Sequence, residues 1–254
     1  MVQANLRSME NDHLFIAGVF ILAGFVKGAV GLGLPTIAMG LLALVLPPAQ
    51  AAALLVVPSL LTNVAQMAGG GPLLPVTRRL RALLAGIVAG TTAGVLVLPT
   101  ALGPGAVILL GAALVIGAVL NLLRVRLPNP EGWSPWSGLV CGTATGLVTV
   151  ATGVFVIPAV PYIRALDLSR DQTIQALGLS FTVSSLSLAL ALLAQGVFKQ
   201  DLAWGSLLAL IPTLVGMGLG IRWRQRLAGD RFRMMFDISL LLLGLAQMLA
   251  AVSR

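Results

Sequence analysis

Lys27 is the one charged residue set deep within an apolar run of this sequence. A charge in the middle of a bilayer costs at least about 2.5–3.5 kcal/mol, so an ionisable residue there marks a substrate or ion path. The alternative is a lysine that snorkels, reaching the headgroups with its ammonium. Lys27 is followed at once by Gly28 to Pro35, a stretch that includes Gly31 and Gly33. Such a break frees backbone N–H groups, and an ammonium beside a half-helix N-terminus would suit an anion. On sequence alone the anion site and the snorkelling lysine stand level.

Uncharged polar residues gather in corresponding parts of the two halves. The first half holds Ser59, Thr62, Asn63 and Gln66. The second holds Thr149 and Thr152 beside Gly153, then Gln175, Ser180, Thr182, Ser184 and Ser185. Aligning Gln50 with Gln172 sets Thr62 and Asn63 opposite Ser184 and Ser185. Their hydroxyl and amide donors suit an oxyanion. For any single residue the ordinary role is an interhelical hydrogen bond of about 0.6 kcal/mol; the clustering is what suggests a pathway.

Other chemistries lack parts. His13 is the single histidine, Cys141 the single cysteine, and no paired carboxylates lie within the apolar runs. Nucleophile–base constellations, thiolate clusters and metal sites are therefore not assembled. No catalytic residue, metal or cofactor is expected, and Cys141 reads as a small packing residue. Without a buried Asp or Glu a carboxylate proton relay is disfavoured, although Lys27 could itself titrate. Asp237, near Arg231 and Arg233, is expected at the interface.

The elements that position these residues follow from composition. Apolar residues make up 58% of the 254 and charged residues 9%, against about 25% charged in a soluble domain. So few charges could not cover a water-facing surface; a bilayer removes that need. The net charge of +8 sits in short arginine clusters between apolar runs. That is the signal of membrane topology rather than of nucleic-acid binding. The expected partners are lipid and a small anion, with no nucleic acid.

Apolar runs fall near 14–46, 49–70, 82–98, 103–123, 134–163, 172–198, 202–221 and 234–252. About 20 residues cross the hydrocarbon core, so the first and fifth runs are too long for one straight span. Both carry glycine and proline at mid-run, which suggests broken helical hairpins that enter and return. If both are hairpins, the clusters 78–81, 124–126, 164–170 and 222–233 share one side. The arginine and lysine balance is then twelve against three, whereas single crossings give eight against seven. The positive-inside rule selects the hairpins, with both termini outside. Trp133, Trp136, Tyr162, Trp204 and Trp223 lie at run edges, where amphipathic rings settle.

Each half then reads as a glycine-rich hairpin followed by three spans, divided at the turn-like segment 127–133. The expected units are a polar N-terminus at 1–13, repeats at 14–126 and 134–253, and that linker. An odd number of crossings per half makes the repeats inverted, a recurrent transporter design. Gly24 and Gly28 are matched with Gly138 and Gly142. Gly86, Gly90 and Gly94, with Gly216 and Gly220, read as small-residue faces for close helix packing. The fold class is an all-α polytopic membrane protein of two inverted repeats.

The segment from Gly24 to Pro35, Gly-Phe-Val-Lys-Gly-Ala-Val-Gly-Leu-Gly-Leu-Pro, resembles the first glycine motif of the TauE/SafE sulfite-exporter family. The stretches Thr152 to Tyr162 and Gln175 to Thr182 resemble its repeated motif, and the likeness covers about 14–253. Leu32 and Leu34 interrupt the glycine run that many members carry there, and the second motif keeps only Gly153. The resemblance implies a plasma-membrane transporter of sulfite, organosulfonates or related sulfur anions, often outward. A passive anion channel or a membrane-embedded enzyme are the competing readings.

Overall fold

The computed structural model describes residues 2–69, 71–97, 102, 105–123, 125, 136–227 and 230–252. The expected linker at 127–133 lies outside these, as does Trp133. Ten helices run through the described residues: α1 (Val2–Val30), α2 (Leu34–Leu42), α3 (Pro48–Ala68), α4 (Leu73–Val97), α5 (Ala106–Leu122), α6 (Trp136–Thr152), α7 (Ala159–Arg164), α8 (Arg170–Ala194), α9 (Gln200–Leu227) and α10 (Asp230–Val252). Six are long and apolar enough to cross a membrane, and α5 and α6 are shorter apolar helices. The chain is an all-α polytopic membrane protein.

Both long runs are broken where glycine and proline predict. The first divides into α1 and α2 around Gly31 and Gly33, with φ of 85° and 110°. The second divides into α6 and α7 after Gly153, with φ of 73°. Side chains avoid this left-handed region and glycine does not. Gly31 N–H closes on the carbonyl of Lys27 at 2.7 Å, and Gly153 N–H closes on that of Thr149 at 2.8 Å. Pro35 then falls in the first turn of α2, where its missing N–H costs no helical bond.

Two boundaries differ from the sequence expectation. The polar N-terminal segment 1–13 continues α1 back to Val2 rather than standing apart. Likewise Arg78, Arg79 and Arg81 lie within α4, and Arg222, Arg224 and Arg226 within α9. A helix that leaves the hydrocarbon has its backbone bonds already made, so it has no reason to end at the core boundary.

The packing places α3 and α8 at the centre. They are 56% and 67% buried along their spans, against 22% for α9 and α10. The outward leucines, isoleucines and valines of α4, α5, α9 and α10 form the surface that lipid would solvate. Helix α1 packs along α9, α6 along α4, α5 along α10, and α3 along α8. Exchanging the first five helices for the last five carries each of these pairings into another or into itself.

Glycine sets how close the outer pairs come. A Cβ on Gly24 or Gly28 would lie 2.2 Å from the carbonyl oxygen of Thr213 or Met217. On Gly216 or Gly220 it would lie 2.0 Å from that of Ile21 or Phe25. In α4 and α6 the same contacts belong to Gly86, Gly90, Gly142 and Gly146, at 2.1–2.3 Å from facing carbonyls. The expected packing glycines are these, except that Gly94 meets only Val150 and Leu147 side chains beyond 3.2 Å. The motif pairing of Gly24 and Gly28 with Gly138 and Gly142 is one turn out: Gly142 and Gly146 make the corresponding contacts. Helix α6 carries an extra turn between this contact and its break, which a search for short glycine matches cannot detect.

Pro58 lies inside α3 and cannot donate to the carbonyl of Leu54. Ser206 of α9 supplies the missing donor, its Oγ giving to Leu54 O at 2.9 Å and accepting from Val57 N–H at 3.0 Å. The proline therefore bonds α3 to α9 rather than leaving a bare carbonyl in an apolar interior, where it would cost about 1–3 kcal/mol.

Candidate substrate-binding site

The side chain of Lys27 turns inward. It is 5% exposed, and its ammonium donates to Asn63 Oδ1 of α3. This is not the geometry of a lysine snorkelling to the headgroups. Asn63 Nδ2 donates to Ser59 Oγ at 3.1 Å and to Ser185 Oγ at 3.2 Å, and the two serine hydroxyls share a bond of 3.0 Å. The amide is thereby oriented, with both of its hydrogens engaged by serines and its oxygen left to face the lysine.

The ring joins three helices across the two halves, α1, α3 and α8. Alignment of Gln50 with Gln172 places Asn63 opposite Ser185, and the two side chains do meet. An ammonium has three donors, and among the described residues only Asn63 takes one. No carboxylate of the described residues reaches Lys27. In the second half Thr149 holds the place before its break that Lys27 holds before its own; its hydroxyl donates to Thr145 O at 2.7 Å. One half carries a cation and the other a hydroxyl.

The other expected site residues divide into two groups. Thr62, Thr152 and Thr182 return their hydroxyls to carbonyls one turn back, at 2.7 Å each. Thr152 Oγ1 also accepts from Val154 N–H at 3.1 Å, so it stabilises the break in which Gly153 lies. These hydroxyls are spent locally. By contrast Ser180 Oγ, Ser184 Oγ and Gln175 Oε1 are buried without a hydrogen-bond partner. Gln175 Nε2 bridges the carbonyls of Met67 and Gly71 at 3.2 and 3.0 Å, and Gln66 Nε2 returns a bond to Ile174 O at 3.3 Å. These glutamines tie the end of α3 to the start of α8.

Helix α2 meets the second break. A Cβ on Gly153 would meet Met39 of α2 at 2.8 Å, and Phe155 lies 5.3 Å from Phe181 of α8 between ring centroids. Gly33 is covered by Phe236 of α10 and Val26 of α1. Thus α2 and the α6–α7 break meet in the interior, and α8 lines that break through Phe181.

Asp237, expected at the interface, has its side chain turned into the bundle. It is 8% exposed and accepts from Asn121 Nδ2 at 3.1 Å; Arg164 Nη1 donates to Asn121 Oδ1 at 3.5 Å. Arg231 and Arg233, its expected neighbours, have side chains outside the described set. Sequence position near a helix start cannot tell which face a residue takes. A cavity of about 390 Å³ also opens between α4, α5 and α6. Apart from Thr152 its walls are apolar, among them Val97, Leu109, Ala113 and Ile116, so it offers an anion nothing.

Among the described residues there is no group of three or more His, Cys, Asp or Glu that could hold a metal ion. What the site presents is a buried amino group beside an amide and serine hydroxyls, with no carboxylate in contact among the described residues.

No curated protein and no solved structure matches the chain. The profile described as "Sulfite exporter TauE/SafE" matches residues 15–246, a stretch that includes both breaks, the α3–α8 pair and all ten helices except the ends of α1 and α10. The chain therefore belongs to the sulfite exporter TauE/SafE family of membrane transporters.

Proposed function

We propose that the chain is a secondary transporter of the plasma membrane that moves small sulfur-containing anions, sulfite or organosulfonates, outward. The observation that carries this is Lys27: a buried amino group, oriented by Asn63, with no acid in contact among the described residues. A sulfur oxyanion offers several acceptor oxygens and the missing counter-charge. Charge-assisted bonds of that kind are the strong ones.

The reading extends to topology. We place both termini outside and the four arginine clusters in the cytoplasm, on the twelve-to-three balance. The exchange of helix pairings between the halves supports two inverted repeats, and the meeting of α2 with the second break supports a substrate site between the halves.

A thermal-shift screen of the purified protein with sulfite, sulfate, thiosulfate, methanesulfonate and matched chloride tests the substrate class. A ligand at a hundred times its Kd stabilises the native state by about 2.7 kcal/mol. The proposal expects stabilisation by one or more sulfur oxyanions over chloride at equal ionic strength. Equal shifts with every salt would overturn the assignment.

A further inference from the structure

We propose that the anion and a proton occupy the Lys27 site together, so that transport of a monoanion moves one proton with it and no net charge. The inference rests on the reading that Lys27 binds the anion, and it adds the co-substrate.

The argument is charge balance in a closed place. Helix α9 faces α1 at this level with the backbone of Thr213 and Met217. Its nearest charges, Arg222 and Arg224, lie past Ile221, whose N–H meets Gly28. Helices α2 and α3 contain no titratable residue. On α8 the charged residues are Arg170 and Asp171, in the first turn, about four turns from Ser185. On α10, Phe236 covers Gly33, and the next residue, Asp237, is engaged by Asn121. Among the described residues, no acid on these elements is in contact with Lys27.

An ammonium with no counter-charge is an expensive occupant of a bilayer interior, and so is an anion with no cation. The inexpensive states are an amine without anion and an ammonium with one. In the loading step bulk water gives a proton to the Lys27 amine as the anion enters; in the release step the ammonium returns that proton as the anion leaves. Asn63 suits both states, because its oxygen accepts from an amine N–H as well as from an ammonium. By linkage each ligand favours the other by the same factor.

Methanesulfonate is the probe, because a sulfonate stays ionised and cannot carry the proton itself. In proteoliposomes an outward-to-inward methanesulfonate gradient should acidify a trapped pH dye, one proton per anion. Imposing about 100 mV would shift the accumulation of a lone charge about fiftyfold; the coupled anion should be indifferent to it. Calorimetry of wild-type protein in two buffers of different ionisation heat should show proton uptake with binding at one or more pH values across the range in which the protein stays folded. Methanesulfonate binding with no proton uptake anywhere in that range, or accumulation that follows potential without acidification, overturns the coupling and leaves the anion site standing. Absence of any binding heat with methanesulfonate or sulfite overturns both.

Discussion

Replacing Gly220 by alanine puts one methyl group where the α1–α9 pair has no room. The new Cβ would lie 2.0 Å from the carbonyl oxygen of Phe25 and 2.9 Å from Ala29 N, whereas ordinary contact begins near 3.4 Å. Both atoms belong to the backbone, so no rotamer change relieves the overlap. The helices must part by about 1.4 Å, with a typical overpacking cost of about 1–3 kcal/mol. At roughly 2–4 °C per kcal/mol for a chain of this size, the expected fall in Tm is about 2–12 °C. Gly218 provides the control, since it is on the same helix with nothing within 4 Å of its Cβ position. Gly218→Ala should hold Tm or raise it, because alanine is favoured over glycine in a helix by up to about 1 kcal/mol. Fluorescence-detected size exclusion after heating in detergent measures both. Gly90→Ala, 2.1 Å from Thr143 O in the α4–α6 pair, should match Gly220→Ala. If Gly220→Ala melts at or above Gly218→Ala, backbone contact between α1 and α9 does not hold the bundle.

Asn63→Asp keeps the shape of the amide and gives Lys27 a fixed counter-charge; the variant should fold and lose anion-dependent stabilisation in the thermal-shift assay. Gln175→Ala leaves the Met67 and Gly71 carbonyls without their donor, at about 1–3 kcal/mol, so folded yield and transport should fall together. Transport lost at normal yield would place Gln175 on the substrate path instead. In a Cys141→Ser background, a cysteine at position 165 should label from the cytoplasmic side and one at 47–50 from outside. Labelling of 165 only from outside would return the eight-span topology.

The parts legible in the sequence are those set by local chemistry. Gly31, Gly33 and Gly153 with the following prolines mark the breaks, because no other residue type enters that backbone region so cheaply. Gly86, Gly90, Gly216 and Gly220 mark close packing by their four-residue spacing. The correspondence of Asn63 with Ser185 follows from aligning Gln50 with Gln172; their contact does not.

What escaped depends on rotation of one helix against another. The extra turn in α6 shifts the glycine register, and hydropathy is blind to it. That Asp237 faces Asn121 follows from the α5–α10 packing. The Lys27–Asn63 bond needs α1 and α3 fixed at one rotation, which no periodicity in apolar sequence specifies. Ser206 carries a signal in hindsight, since Pro58 in a helix leaves the Leu54 carbonyl needing a donor, but nothing local says which helix supplies it.

The central claim is that the Lys27 ammonium holds the anion, and substitution at that one position tests it most directly. Anion-dependent uptake in proteoliposomes should be abolished in Lys27→Met, which keeps the length and apolar stem while removing the charge. Lys27→Arg should retain part of it, because a planar guanidinium replaces a compact point charge and must still reach Asn63. Wild-type anion affinity in a folded Lys27→Met protein would contradict the account.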